Sequence, residues 1–432
     1  MNIREIAYKS LIRIEKEKRY SSLELDSVIA SKELTAEERS FLTRLVYGVT
    51  ERKITLDYVI SLFSSKGLSR LDLSTLILLR LGAYQILYLD KIPSSAAVNE
   101  CVKLAARYSS RSKGFINAVL RKITQLDEIP LPDLSKDAIS YYSVKYSMPA
   151  DICRMWINDY PEHGERLFEF VNSSPFITLR VNTLKTDVQA VKDSFAENAE
   201  KCTNAPFGVK LTRRIPTEEL SFDDGLYYVQ DEASQIAVQA LDTHKGQTVI
   251  DVCSCPGGKA FGCAINMYNN GRIFSFDLHS SKLSLIDDGA KRLGISIIET
   301  REHDSTAFIT ELEGIADRVI CDVPCSGFGV VAKKSDLRYK DLSTLDELSE
   351  IQYKILCESV KYLKDDGVLV YSTCTLRKAE NEDVVNKFLS QHKEYTLLPF
   401  TVGNISCGGM LTLFPHLHGT DGFFVAKIAK KQ

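Results

Sequence analysis

The chain lacks the features that mark several protein classes. No apolar run approaches the length of about 18 residues at which a segment reads as a membrane span. Its start, MNIREIAYKS, has no apolar h-region of a secretory signal, so a cytoplasmic protein is expected. Its 11 cysteines are an odd count, are scattered through 432 residues and include no C-x-x-C pair. That argues against a disulfide framework and for reduced thiols. The 7 histidines show no zinc-ligand spacing, and no metal is expected. Neither G-x-G-x-x-G nor a Walker lysine pattern occurs, so the usual pyrophosphate loops are absent. There is no internal repeat and no low-complexity tract.

What is present is an ordinary globular composition, 44% apolar and 26% charged, in a chain longer than one core usually holds. The charge is uneven. Residues 1–125 carry 21 Lys+Arg against 13 Asp+Glu, while the whole chain is −3. A basic first part suits a polyanionic partner, although a solvated charged surface explains it equally well.

Residues 1–125 read as helices. IREIAYKSLIRIEKE places Ile3, Ile6, Ala7, Leu11 and Ile14 on one face. TAEERSFLTRLVYGVTER opens with Thr35 and Glu38 at capping-box spacing. LDLSTLILLRLGAYQILYL is mostly apolar and predicts a central helix. SSAAVNECVKLAARY follows Pro93, with its serines as cap candidates. The proline-rich IPLPDL (129–134) predicts a linker, and residues 141–225 predict a small α+β segment. From 226 the rhythm changes to strand–helix–strand. TVIDVCS, RIFSFDL, ISIIET, DRVICDV and GVLVYSTC predict a parallel, doubly wound α/β sheet.

VIDVCSCPGGKA ends one strand and opens a helix. Pro256, Gly257 and Gly258 permit a tight turn and close approach of a ligand to the backbone. A helix N-terminus with free N–H groups follows. The next strand ends in Asp277, 20 residues after Gly257, placed for the two hydroxyls of a ribose. A third strand leads to Asp304, suited to an adenine amino group, and a fourth ends in Asp322. Each aspartate alone reads as a strand-end turn residue; together with the turn they outline a nucleoside site. With no phosphate loop, S-adenosyl-L-methionine is the fitting cofactor.

DVCSCPGGK, DVPCSGFG, YSTCT and DGFFVAKI resemble the ordered motifs of the RNA (cytosine-5)-methyltransferases, the Nop2/Sun family. RVNTLK and YYVQDEASQ are similar to its upstream signatures. IPSSAAVNECVKLA followed by KGFINAVLRKI resembles the NusB fold, an all-helical RNA-binding module. The resemblance implies a multidomain chain. An all-α NusB-like domain would span 1–135 and a small α+β RNA-side segment 136–225. An α/β Rossmann-like, class I S-adenosylmethionine-dependent methyltransferase core would span 226–432. It also implies methyl transfer to C5 of a cytosine in small-subunit (16S) ribosomal RNA, by a monomer with no DNA or membrane partner. A transfer-RNA cytosine-5 methyltransferase and a non-catalytic RNA-binding assembly or antitermination factor are the competing readings.

C5 of cytosine is a poor nucleophile toward a sulfonium methyl. A thiolate adding to C6 makes C5 enamine-like, and covalent catalysis then splits one hard step into easier ones. The attacking thiol needs a lowered pKa, from a nearby positive charge or a helix N-terminus. Cys374, between GVLVYST and a helix predicted over RKAENEDVV, suits that need. By resemblance Cys374 is the nucleophile and Cys325 assists product release. Asp322 contacts the cytosine edge and the cofactor, and Lys259 supports them. The cofactor-binding set is then Cys253, Ser254, Cys255, Pro256, Gly257, Gly258, Lys259, Asp277, Asp304 and Asp322. The remaining seven cysteines read as buried small hydrophobes. Arg180 and Asn182 of RVNT resemble an RNA-side motif and read equally as a strand with a capped turn. Arg338-Tyr339 stands where the family shows an Arg-Trp pair and keeps its charge and aromaticity, so stacking on a base stays open. Phe328 interrupts the usual Gly-Thr-Gly without a sequence-level explanation.

Overall fold

Asn2 opens the first helix, Ile3–Glu17, by accepting the N–H groups of Arg4 and Glu5 on its side chain. The computed structural model describes all residues except 1, 66, 174, 175, 214, 216–219 and 432; Arg214 of GVKLTRRI is thus outside the described residues. Two units divide the chain. The first is Met1–Asn172 together with Lys334–Tyr339, and the second is Ser173–Lys333 together with Lys340–Gln432.

The first unit is helical. Helix Ile3–Glu17 buries Ile3, Ile6, Ala7 and Leu11, the face its spacing predicts. Thr35 and Glu38 form both halves of the capping box at the start of Ala36–Glu51, at 3.2 and 3.1 Å. Helix Leu73–Tyr88 is central: its residues from Ile77 to Gln85 are buried without a break. Gly82 is what lets it pack so closely, since a Cβ there would lie 2.6 Å from Leu120 of helix Lys113–Ile123. The serines after Pro93 do not cap. Pro93 itself is the N-cap of Ser94–Tyr108, so they fall inside the first turn. The segment Lys334–Tyr339 belongs to this unit through Arg338 and Tyr339. Arg338 is 1% exposed and donates to the carbonyls of Glu51 and Val171 and to Asn172 Oδ1, while the Tyr339 hydroxyl donates to Thr50 O. Burial pulls the Arg338 guanidinium below its ordinary pKa. Both side chains cap helix and turn carbonyls, which replaces stacking on a base.

The second unit begins with β1 (Thr178–Val181), β2 (Ala199–Lys201), β3 (Gly208–Leu211) and β4 (Tyr227–Val229), an antiparallel sheet in the order β2-β3-β1-β4. Next come β5 (Thr248–Asp251), β6 (Arg272–Asp277), β7 (Ile298–Glu302), β8 (Ala316–Asp322) and β9 (Leu363–Thr373). The last are β10 (Tyr395–Leu397), β11 (Phe400–Val402), β12 (Ile405–Cys407), β13 (Met410–Leu413) and β14 (Phe423–Lys430). The main sheet runs β10-β14-β9-β8-β5-β6-β7, with β13 beside β14, and β11 pairs with β12. β5 to β9 are parallel, as the sequence predicts. The far edge departs from that expectation, because β14 runs antiparallel to β9, β10 and β13. Only residues 414–422 separate β13 from β14, too short a link for a parallel crossover.

Strand alternation distributes the apolar side chains to two layers. Val249, Ile320 and Val370 pack with helices Glu232–Leu241, Gly258–Asn266 and Ser280–Leu293. Ile250, Val319 and Leu369 pack on the other face with helices Leu345–Ser359 and Glu382–Gln391. β5 lies between β6 and β8, so the chain order reverses there and a crevice opens beyond the carboxyl ends of the strands. Asp251, Asp277, Asp322 and Thr373 all end strands on that rim. The 11 cysteines are free thiols. Among the described residues no helix is long and apolar enough to cross a membrane, and no group of three His, Cys, Asp or Glu is set to hold a metal ion.

Candidate active site

The turn after β5 runs from Val252 to Gly257, and helix Gly258–Asn266 begins directly behind it. Ser254 N–H donates to Phe276 O at 2.7 Å, and Gly257 N–H donates back to Ser254 O at 2.6 Å. Gly257 adopts φ +100°, and a Cβ there would meet the Phe261 ring at 2.5 Å. The Cys255–Pro256 peptide is cis. Asp277, at the end of β6, reaches the same turn: its Oδ2 accepts Cys255 N–H at 3.3 Å and its Oδ1 accepts His279 N–H at 3.1 Å. Asp304 lies two residues past the end of β7, exposed, with Oδ1 accepting from the Thr306 N–H and hydroxyl. Those bonds hold its carboxyl below the usual range. Burial pushes the thiols of Cys253 and Cys255 up, so neither is a thiolate at neutral pH.

The turn also leaves polar capacity unfilled. Ser254 Oγ and both oxygens of Asp251 are buried without a hydrogen bond of good geometry. Buried oxygens of this kind are costly unless water or a ligand meets them. Asp251 is 1% exposed, and its carboxyl is pushed up to about 7, first by burial and then by the nearby Asp322 charge. A helix N-terminus, two glycines, strand-end aspartates and unfilled oxygens at one crevice fit a nucleoside cofactor with a charged amino-acid tail.

The second half of the rim holds the thiols. Cys325 lies in the loop after β8, and Cys374 directly follows β9. Their sulfurs are 3.1 Å apart, and Cys374 N–H points to Cys325 Sγ at 3.3 Å. Its bond to Cys374 and then burial push the Cys325 thiol well above the usual range. Either sulfur of the pair can donate to the other. Lys259, in the first turn of its helix, pairs with Asp322 Oδ2 at 2.6 Å and lies over the Phe423 ring at 5.4 Å from its centre. Burial works against the Lys259 charge. Asp322 first, with Asp251 and Cys374 acting in the same direction, together outweigh it and hold the ammonium above its ordinary value. The remaining Asp322 oxygen accepts the Ser372 hydroxyl at 2.6 Å, because parallel register sets Asp322 beside Ser372.

Lys259, Asp322, Cys325 and Cys374 thus meet at one place, with the Cys253–Gly258 turn and Asp277 beside them. The activating helix expected after Cys374 is not adjacent: a 3₁₀ turn spans Lys378–Glu380 and the helix starts only at Glu382. Glu380 and Asn381 turn inward to hold the cysteine loops, which delays the helix, and the positive charge near Cys374 comes from Lys259. Arg180 and Asn182 resolve to the strand reading. Arg180 is 2% exposed and donates to Gly262 O and Asn266 Oδ1, and Asn182 donates to Gly225 O and Leu293 O. Phe328 is fully buried at the start of a 3₁₀ turn behind Cys325. Asp251 and Ser372 were not singled out in the sequence, although both sit at the ends of strands it predicts.

Comparison with known proteins extends this geometry. A model of the family "16S rRNA methyltransferase RsmB/F" matches residues 238–429. The NusB family matches residues 1–125, and an RsmF/B-like ferredoxin-like domain matches 148–218. The chain is 37% identical to the probable ribosomal RNA small subunit methyltransferase B of Bacillus subtilis, over 100% of this chain and 99% of that one. It is 32% identical to the probable enzyme of the same name from Synechocystis, with both chains covered in full. Among solved structures, PH0851 superposes with a TM-score of 0.81 at 27% identity, covering 100% of this chain and 99% of the other. A methyltransferase homolog from Pyrococcus horikoshii superposes with a TM-score of 0.60 at 28% identity, over 68% of this chain and 99% of its own.

Proposed function

The chain belongs to the 16S rRNA methyltransferase RsmB/F family, and from that premise we propose that it methylates C5 of a cytosine in small-subunit ribosomal RNA through a covalent adduct on Cys374. Membership makes it an S-adenosylmethionine-dependent RNA methyltransferase. The observation that carries the finer reading is the pair of sulfurs 3.1 Å apart beside the Lys259–Asp322 ion pair.

The Cys253–Gly258 turn, Asp277 and Asp304 would hold S-adenosylmethionine, with Asp322 and Lys259 at the reacting end. When bound it supplies an electrophilic methyl group. The residues do the rest. Cys374, as thiolate, forms the S–C6 bond, and the displaced electron pair moves through C5 and C4 onto N3. As N3 gains that pair it takes a proton from solvent, and Asp322 accepts hydrogen bonds from the N4 amino group and the protonated N3. Lys259 pairs with Asp322 and places positive charge near Cys374, favouring its thiolate. Once C5 carries the methyl, water takes the C5 proton, the C–H electron pair forms C5=C6, and N3 returns its proton to solvent. The S–C6 bond breaks, and its electron pair returns to Cys374. The protonated Cys325 donates to that departing sulfur and so favours release.

The division of labour follows residues 1–135 for docking RNA, 136–225 for the RNA side of the core and 226–432 for chemistry. The enzyme acts as a cytoplasmic monomer on RNA rather than DNA. The target base must leave its stack to reach the thiol.

The test is a cysteine swap read on denaturing gels with S-adenosylmethionine and 16S transcripts. Cys325→Ala should accumulate a covalent protein–RNA adduct, and Cys374→Ala should form none. The reverse pattern overturns the role assignment. Failure of the unaltered protein to label the RNA overturns the activity.

A further inference from the structure

Glu380 and Asn381 are adjacent, and both are fully buried at 0% exposure. Each side chain holds the backbone or hydroxyl groups flanking one of the two thiols. Glu380 Oε2 accepts Ser326 N–H at 2.9 Å and Gln352 Nε2 at 2.9 Å, and the same Gln352 amide donates to Pro324 O at 2.9 Å. The residues on both sides of Cys325 are thereby fixed. Asn381 Oδ1 accepts the Thr373 hydroxyl, and its Nδ2 donates to Thr375 O at 3.0 Å. The residues on both sides of Cys374 are fixed in turn. The Ser326 and Thr375 hydroxyls join the two loops at 2.6 Å, and the Tyr371 hydroxyl donates to Glu380 O at 2.6 Å, pinning the turn to β9.

A carboxylate without exposed surface carries a desolvation cost that a neutral side chain of its size avoids. The nearest opposite charge, Arg377, is 3.8 Å away, too long for a hydrogen bond. Filling space does not require an acceptor oxygen there; holding the Ser326 N–H and the Gln352 amide does.

We propose that Glu380 and Asn381 are positioning residues that set the two thiols in register, Glu380 for the releasing cysteine and Asn381 for the attacking one. The inference rests on the roles given above to Cys325 and Cys374. Its consequence is that neighbouring substitutions damage different steps.

The experiment measures adduct formation and adduct release separately on 16S transcripts with S-adenosylmethionine, beside Cys325→Ala and Cys374→Ala. Cofactor affinity by calorimetry reports whether each variant is folded. Glu380→Ala should form adduct within about threefold of the unaltered rate and release it about 10- to 100-fold more slowly, the scale expected for a small misplacement of a reacting group. Glu380→Gln keeps an acceptor for Ser326 and should restore release. Asn381→Ala should slow formation by a similar factor without accumulating adduct. If Glu380→Ala fails to bind cofactor, Gln352→Met takes its place, because it keeps the volume and removes the bridge to Pro324. Suppose Cys325→Ala traps adduct while the folded Glu380 or Gln352 variant releases normally, or slows both steps equally. The positioning role then falls and the cysteine roles stand. If Cys325→Ala traps nothing, the cysteine roles fall and this inference falls with them.

Discussion

Arg80 in the helical unit and Lys259 in the catalytic unit are both largely enclosed cations facing carboxylates, and they differ in how their networks end. Arg80 meets the two oxygens of Asp57 through Nε and Nη2 at 2.7 Å each, and Glu15 through Nη1 at 3.0 Å. Lys53 holds the same Glu15 at 2.7 Å. Both acids have a positive partner. Around Lys259 the network stays open. Asp251 behind Asp322 is 1% exposed, and neither of its oxygens has a hydrogen bond of good geometry. A closed polar network specifies packing, whereas an open one retains capacity for a ligand at a cost in stability. The contrast separates a cation that holds a fold from one that serves a reaction.

The largest effect that could break this contrast is on turnover. Lys259→Met removes the positive charge beside Asp322, Asp251 and Cys374. Single-turnover methyl transfer should fall about 10²- to 10³-fold, the range for losing one preorganised electrostatic group. The fall should exceed any loss of folded protein measured by circular dichroism. A variant that transfers methyl normally would make Lys259 a second Arg80. The reciprocal change, Arg80→Met, should cost about 2–3 kcal/mol in urea unfolding, discounted from the cost of breaking a fully buried pair because Asp57 and Glu15 are each about a quarter exposed. Turnover per folded molecule should not change. A loss of turnover in fully folded Arg80→Met would remove the distinction from the other side.

The same contrast explains what the sequence could carry. The closed features were legible because their signals are local. A capping box spans Thr35 to Glu38, and an unbroken apolar run marks the central helix. The strand–turn–helix of the cofactor loop and both cysteine loops were legible for the same reason. The open network was only partly so. Ser372 meets Asp322, 50 residues away in the chain, through the register of β8 and β9. Glu380 meets Ser326 across 54 residues, and no spacing rule reaches that far. Arg338 misled for a related reason. Its charge and the following aromatic suggest nucleic acid, and only the fold supplies the helix-end carbonyls that accept from its Nη groups. Arg180 and Asn182 likewise look like surface polar residues until β1 carries them under the helices of the core.

The smallest expected effect is the most direct probe of the open end. Asp251 has a folded pKa of about 7 against 3.8 for an ordinary aspartate. Its folded state therefore keeps a proton that the unfolded chain has already released. Stability from this group is full below the ordinary carboxylate value and is lost as pH rises toward the folded value. Asp251→Asn cannot titrate, so its unfolding free energy should lack this decline. Measured without cofactor, the unaltered protein should lose about 1 kcal/mol more than the variant between about pH 6 and pH 8, since one pKa unit of differential binding is worth about 1.4 kcal/mol. An equal decline in both proteins would mean that Asp251 is ionised throughout and that Lys259 already satisfies it. The network around Lys259 would then be closed like that around Arg80, and the capacity assigned to the cofactor crevice would have to lie elsewhere.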